Sequence, residues 1–346
     1  MYFGRYFLKL VTLLFAFTAL KAFAMTPLPK TPPVPADNKM TPAKINLGKI
    51  LYFEPRLSLN GTISCNTCHN VMLGGEDNRS VSVGVNGQRG GRSAPTVWNA
   101  AFHSVQFWDG RALSLEEQAV GPITNPIEMG MPNFDVVIER LSSIEEYVDM
   151  FKKAFPKDKK PISKVNIGKA IATFERTLIS GNSPFDLYKS GKKSAMSKSA
   201  IRGMKLVEET GCLACHSGSN FSGDNKMGEG NFQTFPVFAE NEYVKKYDFL
   251  KDNGRYETTQ KEEDKHIWRV PTWRNIALTA PYFHNGSVAT LEEAVKVMAK
   301  VQLDKDLNDK DTADIVSFLE SLTGKFPKID MPRLPSTPKR SILDVK

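Results

Sequence analysis

The chain has 346 residues, a length that suffices for two domains that each bury their own core. Lysine and arginine outnumber aspartate and glutamate by 46 to 38, and acidic residues interrupt most basic runs, as in Lys157-Asp158-Lys159-Lys160. This scattered excess is typical of a solvated surface and argues against nucleic acid as a partner.

The first 24 residues are typical of a Sec-type signal peptide. Arg5 and Lys9 supply a positive start, residues 10–20 form an apolar run, and Ala22-Phe23-Ala24 is a small-x-small cleavage site. The run is too short to span a bilayer comfortably, so removal after Ala24 is favoured over an uncleaved anchor. The sequence therefore predicts a periplasmic protein with no membrane attachment after cleavage.

Helical signals dominate the mature chain, and clear strand alternation is scarce. A Pro-rich lead, Pro27 to Pro42, runs into Thr41-Pro42, an N-cap with proline at the first helical position. This helix is predicted to end before Pro55. Two capping boxes follow, Ser114-x-x-Glu117 and Ser143-x-x-Glu146, each with apolar residues at helical spacing behind it.

A domain boundary is predicted near the middle of the chain. One amphipathic helix stops near Gly181, and a new helix from about Ser197 to Thr210 begins the second half. Thr290-x-x-Glu293 caps a later helix, and the last strong helix, around residues 311–322, ends at Gly324. The prediction is an N-terminal domain over residues 25–180, a C-terminal domain over 181–324, and a tail over 325–346 that could pack back on the first domain. The face of the helix before Gly181 consists of Ile167, Ala170, Ile171, Phe174 and Leu178.

Four cysteines stand in two identical motifs, and none is left over. The motifs are Cys65-Asn66-Thr67-Cys68-His69 and Cys212-Leu213-Ala214-Cys215-His216. In Cys-x-x-Cys-His, two thioether bonds hold the porphyrin edge while the adjacent histidine becomes the proximal iron ligand. The pair predicts two covalently bound c-type haems in a mainly α fold of two cytochrome c-like domains, each with one haem.

Three other interpretations of the cysteines fit less well. An exported chain with four cysteines would by default form two disulfides, but the spacing contradicts that default. A thioredoxin-type pair would sit in a βαβ unit, which the sequence does not show. A zinc site needs converging ligands, and the histidines outside the motifs, His103, His266 and His284, have no finger-like spacing.

Two haems serve either electron transfer or catalysis, and the difference is whether one iron keeps an open axial position. Met298 is a candidate second ligand, on a helical face with Leu291 and Val295, although a methionine at such spacing is more often a core residue. Two polar residues, Glu128 and Gln118, are also candidates for a site. From the sequence pattern alone, Glu128 would be an exposed loop glutamate and Gln118 a solvated helix glutamine.

Five short motifs occur in an order that indicates a family. They are Ser64 through Asn70, Ala94-Pro95-Thr96-Val97, Gln106 through Arg111, Gly211 through Ser217, and Thr279 through His284. Over nearly the whole mature chain, these motifs resemble the bacterial di-haem cytochrome c peroxidases, a family that also includes the MauG-type enzymes. The resemblance implies an enzyme that reduces hydrogen peroxide at the N-terminal haem. It also implies electron entry through a high-potential C-terminal haem, a homodimer, and a donor that is a small cytochrome c or a copper protein (cupredoxin).

The resemblance assigns roles to individual residues. His69 is the proximal ligand of the reactive iron, and His216 with Met298 binds the electron-accepting iron. Glu128 matches the family's acid–base residue, which moves a proton from the inner to the outer peroxide oxygen. Gln118 matches a polar neighbour that orients peroxide or water.

Between the two haems, the resemblance implies an aromatic residue and a calcium ion. Trp108 matches the aromatic residue, whose π-system supports electron passage, and core packing is its other interpretation. Calcium would be held by the carbonyls of Thr279 and Pro281 and by one side-chain oxygen. Ser93 stands where the family commonly has Asn, so this ligand departs from the pattern.

The loop after the first haem motif also departs from the family. Many members carry a histidine there, which closes the peroxidatic iron at rest and leaves when the other haem is reduced. This chain has Val85 at that position, and no histidine lies between His69 and His103. Valine cannot bind iron, and His103 lies beyond the ligand loop. We therefore expect an N-terminal iron that is five-coordinate or weakly water-ligated when oxidised and that needs no reductive activation.

Two other functions stay open on the sequence. A MauG-like enzyme, which oxidises a protein substrate through a ferryl haem, also lacks the loop histidine, but its second haem has a Tyr ligand where this chain offers Met298. Methionine raises the reduction potential and suits electron entry from a small cytochrome. A non-enzymatic di-haem electron carrier is the third interpretation, and Glu128 and Gln118 beside an open iron disfavour it.

Overall fold

The computed structural model describes residues 25–337 and 341, so the predicted signal peptide lies outside the described residues. Within them the chain forms twelve α-helices, several short 3-10 turns and one two-stranded sheet, which confirms the predicted mainly helical fold. In the same residues, no helix is both long enough and apolar enough to cross a membrane.

The helices in chain order are α1 (Pro42–Tyr52), α2 (Cys65–Cys68), α3 (Leu115–Thr124), α4 (Phe134–Ser142), α5 (Glu145–Ala154), α6 (Lys164–Glu175), α7 (Pro184–Lys189), α8 (Lys198–Glu209), α9 (Glu242–Lys246), α10 (Tyr256–Thr259), α11 (Leu291–Leu303) and α12 (Asp309–Glu320). The strands are β1 (Phe232–Thr234) and β2 (Ile267–Arg269), antiparallel with Phe232 opposite Arg269.

Side-chain caps set where several helices begin. The Thr41 hydroxyl accepts a hydrogen bond from the Lys44 amide, and α1 starts at Pro42 as predicted. Ser114 caps α3 and Thr290 caps α11 in the same way, each through the amide three residues later. These caps confirm the predicted starts of three helices.

The capping box predicted at Ser143 is wrong. Ser143 ends α4 in the right-handed helical conformation, and its hydroxyl donates to the Arg140 carbonyl at 2.7 Å. A residue in that conformation cannot adopt the extended backbone of an N-cap, so Ile144 takes that position before α5 without a side-chain cap.

Buried apolar side chains form two large clusters, one from each half of the chain. The first cluster is drawn from residues 47–178, and within it α1 packs against α6. The second is drawn from residues 185–322, and within it α8 packs against α12. Each cluster carries one of the two Cys-x-x-Cys-His motifs at its edge, because Cys65 packs against the first and Cys212 against the second.

The C-terminal segment returns to the first cluster. Phe326, Ile329 and Leu334 pack against it, and the Phe326 ring meets the buried Trp98 ring edge-on at 4.7 Å. The Arg56 guanidinium donates to the Pro335 carbonyl at 2.8 Å. The last described residues therefore cover the N-terminal half of the molecule.

Candidate haem cavities and active site

A cavity of about 520 Å³ adjoins the first Cys-x-x-Cys-His motif. Cys65, Cys68 and His69 line it, and so do Gln118 from α3 and Glu128 from the following loop. The structure thus brings together His69 and the two polar residues that the resemblance placed around one iron.

The backbone fixes the orientation of His69. Its Nδ1 lies 2.9 Å from the Pro95 carbonyl oxygen, so Nδ1 carries the proton and Nε2 keeps a lone pair for a metal. The Tyr52 hydroxyl donates to the His69 carbonyl at 2.6 Å. Burial lowers the pKa of His69, which keeps the ring neutral as a metal ligand must be.

A second cavity of about 340 Å³ adjoins the second motif. Cys212, Cys215 and His216 line it together with Met298 on α11. His216 Nδ1 lies 3.0 Å from the Phe221 carbonyl oxygen, and burial lowers the pKa of His216 to about 4. The structure therefore brings His216 and Met298 to one cavity, with the imidazole neutral and its Nε2 available.

The donor groups of both cavities fit covalent haem. All four cysteines are free thiols, and burial raises the pKa of Cys68 to about 11. Each cavity offers two thiols, an imidazole and mostly apolar walls, as attachment of a porphyrin requires. In the part of the chain that the structure describes, no three His, Cys, Asp or Glu side chains converge as a metal site.

The loop of residues 82–90 lies against the segment of residues 126–130, which carries Glu128. The Val85 amide donates to the Glu128 carbonyl at 2.9 Å, and the Gln88 side chain donates to the Pro126 carbonyl at 2.9 Å. Val85 is 1% exposed within the first cluster, and Gly84 lines the cavity instead. The loop therefore supports the Glu128 segment and presents no iron-binding side chain.

Glu128 sits in an environment that favours its protonated form. The residue is half-buried, and burial raises the pKa of its carboxyl while the positive charge of Arg111 opposes that rise. Arg111 is itself paired with Asp109, at 3.0 Å. A carboxyl of this kind can both accept and return a proton near the cavity.

The two cavities share several lining residues, among them Trp108, His103 and Arg269, which form the wall between them. Trp108 borders both, and its indole nitrogen donates to the Ser93 carbonyl at 2.8 Å, which fixes the ring. His103 and Arg269 also border both cavities, and the Nδ1 of His103 lies 2.9 Å from Nη1 of Arg269. Of the residues proposed for calcium, Ser93, Thr279 and Pro281 all border the second cavity.

Sequence reasoning missed several charged residues at these cavities, among them Glu175 and Arg269. Glu175 ends α6, is 5% exposed and lines the first cavity, and its Oε2 has no hydrogen-bond partner within the described part of the chain. Burial raises the pKa of Glu175 to about 8. The sequence offered one signal for Glu175, because this charged residue directly follows Phe174 in a helix whose predicted face is otherwise apolar.

Two cavities, each built around Cys-x-x-Cys-His in a mainly helical fold, define a di-haem c-type protein. The model of a family described as di-haem cytochrome c peroxidase matches residues 42–194. Cytochrome c551 peroxidase of Pseudomonas aeruginosa is 46% identical over 295 residues, which are 84% of this chain and 82% of that protein. Methylamine utilization protein MauG of Methylorubrum extorquens is 35% identical over 89% of this chain and 86% of its own length.

A solved structure agrees with these matches. The crystal structure of a MauG-like protein associated with microbial copper homeostasis has a TM-score of 0.74 and 30% identity, over 86% of this chain and 95% of that one. The chain therefore belongs to the di-haem cytochrome c peroxidase family.

Proposed function

We propose that the protein is a periplasmic peroxidase that reduces hydrogen peroxide to water with electrons from a small cytochrome c or a cupredoxin. The observation that carries the proposal is one cavity shared by His69, Glu128 and Gln118 beside a loop that presents no ligand. Three relatives at 40–46% identity, each named a cytochrome c peroxidase or a cytochrome c551 peroxidase, support it.

The chain's own residues handle the protons of this reaction. One peroxide, two electrons and two protons give two waters; the external donor supplies the electrons, and the haems, when bound, would relay them. Glu128 takes the proton from the inner peroxide oxygen and returns it to the outer oxygen, which leaves as water. The raised pKa of Glu128 brings its titration closer to neutral pH, where a proton carrier is most effective. The Gln118 amide, in the same cavity, orients peroxide or water by hydrogen bonding.

Electrons are proposed to enter at the second cavity and pass across the wall. His216 and Met298 would ligate that haem, and a thioether ligand gives it the high potential that suits a small cytochrome as donor. Trp108, held by its hydrogen bond to Ser93, contributes a π-system that reaches both cavities.

The ferric spectrum of the purified protein tests the open first iron. We expect one low-spin haem with His and Met ligands and one high-spin haem, by optical and EPR spectroscopy. Two low-spin signals without high-spin iron would contradict the proposal. Reduced cytochrome c should be oxidised by peroxide without prior reduction of the enzyme, in a steady-state assay.

A MauG-like activity is the second candidate, because MauG relatives match at 34–35% identity and Val85 provides no iron ligand. A protein that consumes peroxide only to oxidise another protein, and is inert with reduced cytochrome c, would favour it. A protein inert in both assays, with two six-coordinate irons, would favour a simple electron carrier.

One calcium ion is also proposed, held by the carbonyls of Thr279 and Pro281 and by Ser93. A carboxylate oxygen near these residues supports it, because Glu76 Oε1 is buried and has no hydrogen-bond partner among the described residues, although Oε2 accepts from the Asn78 amide. Burial raises the pKa of Glu76 to about 7. The backbone at Gly74, two residues before Glu76, packs against the segment that carries Thr279, since a Cβ on Gly74 would lie 3.2 Å from Thr279 Cγ2. Elemental analysis after dialysis, with and without EGTA, tests the site. Calcium at background level in both samples would refute it.

The domain boundaries, oligomeric state and export are proposals of the same kind. The gap between the two buried clusters, from Leu178 to Phe185, supports domains over residues 25–180 and 181–324. Light scattering on the holoenzyme tests the homodimer. N-terminal sequencing of protein from the periplasmic fraction should begin at Met25.

A further inference from the structure

One buried cation in the wall between the two cavities forms no ion pair with any described residue. Arg269, the last residue of β2, is 4% exposed and borders both cavities. Among residues 25–337 and 341, no carboxylate is close enough to its guanidinium to form an ion pair. Burying a charge without a counter-charge is costly, so something else should neutralise it.

The hydrogen bonds that Arg269 does make go to neutral acceptors. Its Nε donates to the Phe107 carbonyl at 2.8 Å, and its Nη1 donates to the Val270 carbonyl at 3.2 Å and to His103 Nδ1 at 2.9 Å. Burial lowers the pKa of His103 well below its usual value, so this ring is neutral. Nη2 makes no hydrogen bond to any residue in the described part of the chain, which leaves two N–H donors free at the cavities.

Asp109 attracts the Arg269 guanidinium electrostatically, but its carboxylate is already paired with two other arginines. Asp109 is bound by Arg92 at 2.7 Å and by Arg111 at 3.0 Å. Arg92 is balanced further by Asp252, at 2.7 Å. This group of side chains therefore leaves a surplus positive charge at Arg269.

We propose that Arg269 binds a haem propionate through Nη2 and is the shared cation that raises the reduction potential of the haems on both sides. This inference rests on the proposed function for the two haems. A propionate is a carboxylate on the haem edge, and a guanidinium pairs with carboxylates while remaining charged when buried. A fixed cation in a low-dielectric wall favours the reduced iron, which carries one positive charge fewer.

Spectroelectrochemical titration of the holoenzyme tests the proposal, with three variants. Arg269→Gln removes the buried charge, Arg269→Lys keeps it, and Lys205→Gln removes one charge from an exposed position on α8 as the matched control. For Arg269→Gln we expect both potentials to fall. At the haem whose propionate Arg269 binds, the reduction equilibrium should become about tenfold less favourable, or roughly 59 mV for one electron. Arg269→Lys and Lys205→Gln should stay near the unmodified protein, because the first retains the charge and solvent screens the second.

The haem whose potential falls further identifies the source of the propionate. Loss of one haem from Arg269→Gln with full haem content in Arg269→Lys would also support the binding role. Equal potentials in Arg269→Gln and Lys205→Gln would overturn the proposal, and so would equal haem loss in both Arg269 variants, since packing alone would then explain the residue. The titration needs no peroxide turnover, so a holoenzyme without peroxidase activity would refute the proposed function and leave this test intact.

Discussion

The contact between Gly84 and the Glu128 segment allows a quantitative test of the proposed active site. A Cβ at Gly84 would lie 2.0 Å from the Ile127 carbonyl oxygen and 2.5 Å from the Glu128 carbonyl oxygen. Because real Cβ contacts shorter than 3.0 Å are essentially not seen, Gly84→Ala must push this segment away by about 1 Å. A misplacement of about 1 Å in a catalytic group costs about 10²-fold in rate. We therefore expect kcat/KM for peroxide to fall by about 10²-fold while both haems remain attached.

Gly91→Ala is the matched control near the same loop, since no atom of the described residues lies within 4 Å of a Cβ at that position. Both variants would be assayed by steady-state oxidation of reduced cytochrome c at varied peroxide. Soret absorbance per protein and thermal unfolding separate a misplaced Glu128 from a misfolded chain. A Gly84→Ala enzyme with full haem content and the kcat/KM of Gly91→Ala would refute the reasoning that this loop positions Glu128.

The proposed proton carrier, the proposed electron-entry haem and the second buried cluster can each be tested with one variant. Burial raises the pKa of Glu128, so an activity that needs its carboxylate should fall as pH drops through this raised pKa. Glu128→Gln should remove that acid limb and lower kcat by about 10²- to 10⁴-fold, and an unchanged pH–rate profile would contradict the assignment. Met298→Leu should lower the potential of the second haem in a redox titration and slow its reduction by a donor cytochrome, and an unaltered potential would mean that Met298 is only a core residue. Asp186→Ala should cost about 3–5 kcal/mol in urea unfolding, because it leaves the buried Arg274 without the carboxylate that lies 2.8 Å from it. A loss below about 1 kcal/mol would indicate that solvent reaches this pair as it does a surface one.

The parts of this protein that depend on local chemistry were predictable from the sequence. The Cys-x-x-Cys-His spacing fixes where a haem could attach, and the structure adds only the cavity that each motif borders. Thr41, Ser114 and Thr290 cap their helices through amides three residues away, an interaction confined to one turn. The family resemblance contributed Glu128 and Gln118, which on composition alone would have been surface residues.

The parts that depend on distant contacts were not predictable. Ser143 carries the pattern of a capping box, but the preceding helix holds it in helical conformation and uses its hydroxyl. The sheet pairs residue 232 with residue 269, and three-residue strands leave too little alternation to detect. Arg269 lies between the two cavities because of that pairing and because its Nε donates a hydrogen bond to the carbonyl of Phe107, 162 residues earlier. The domain boundaries near residue 180 stay a prediction.

The C-terminal segment packs on the first buried cluster, and this affects when that cluster is completed during synthesis of the chain. Phe326 closes over Trp98, and Leu334 seals a core whose other members were synthesised far earlier, beginning at Leu47. The apolar surface of the amino-terminal half is therefore fully covered only after residues 326–334 have been synthesised. Any attachment at Cys65 and Cys68 that precedes completion of the chain takes place on a lobe that is still open to solvent on that side.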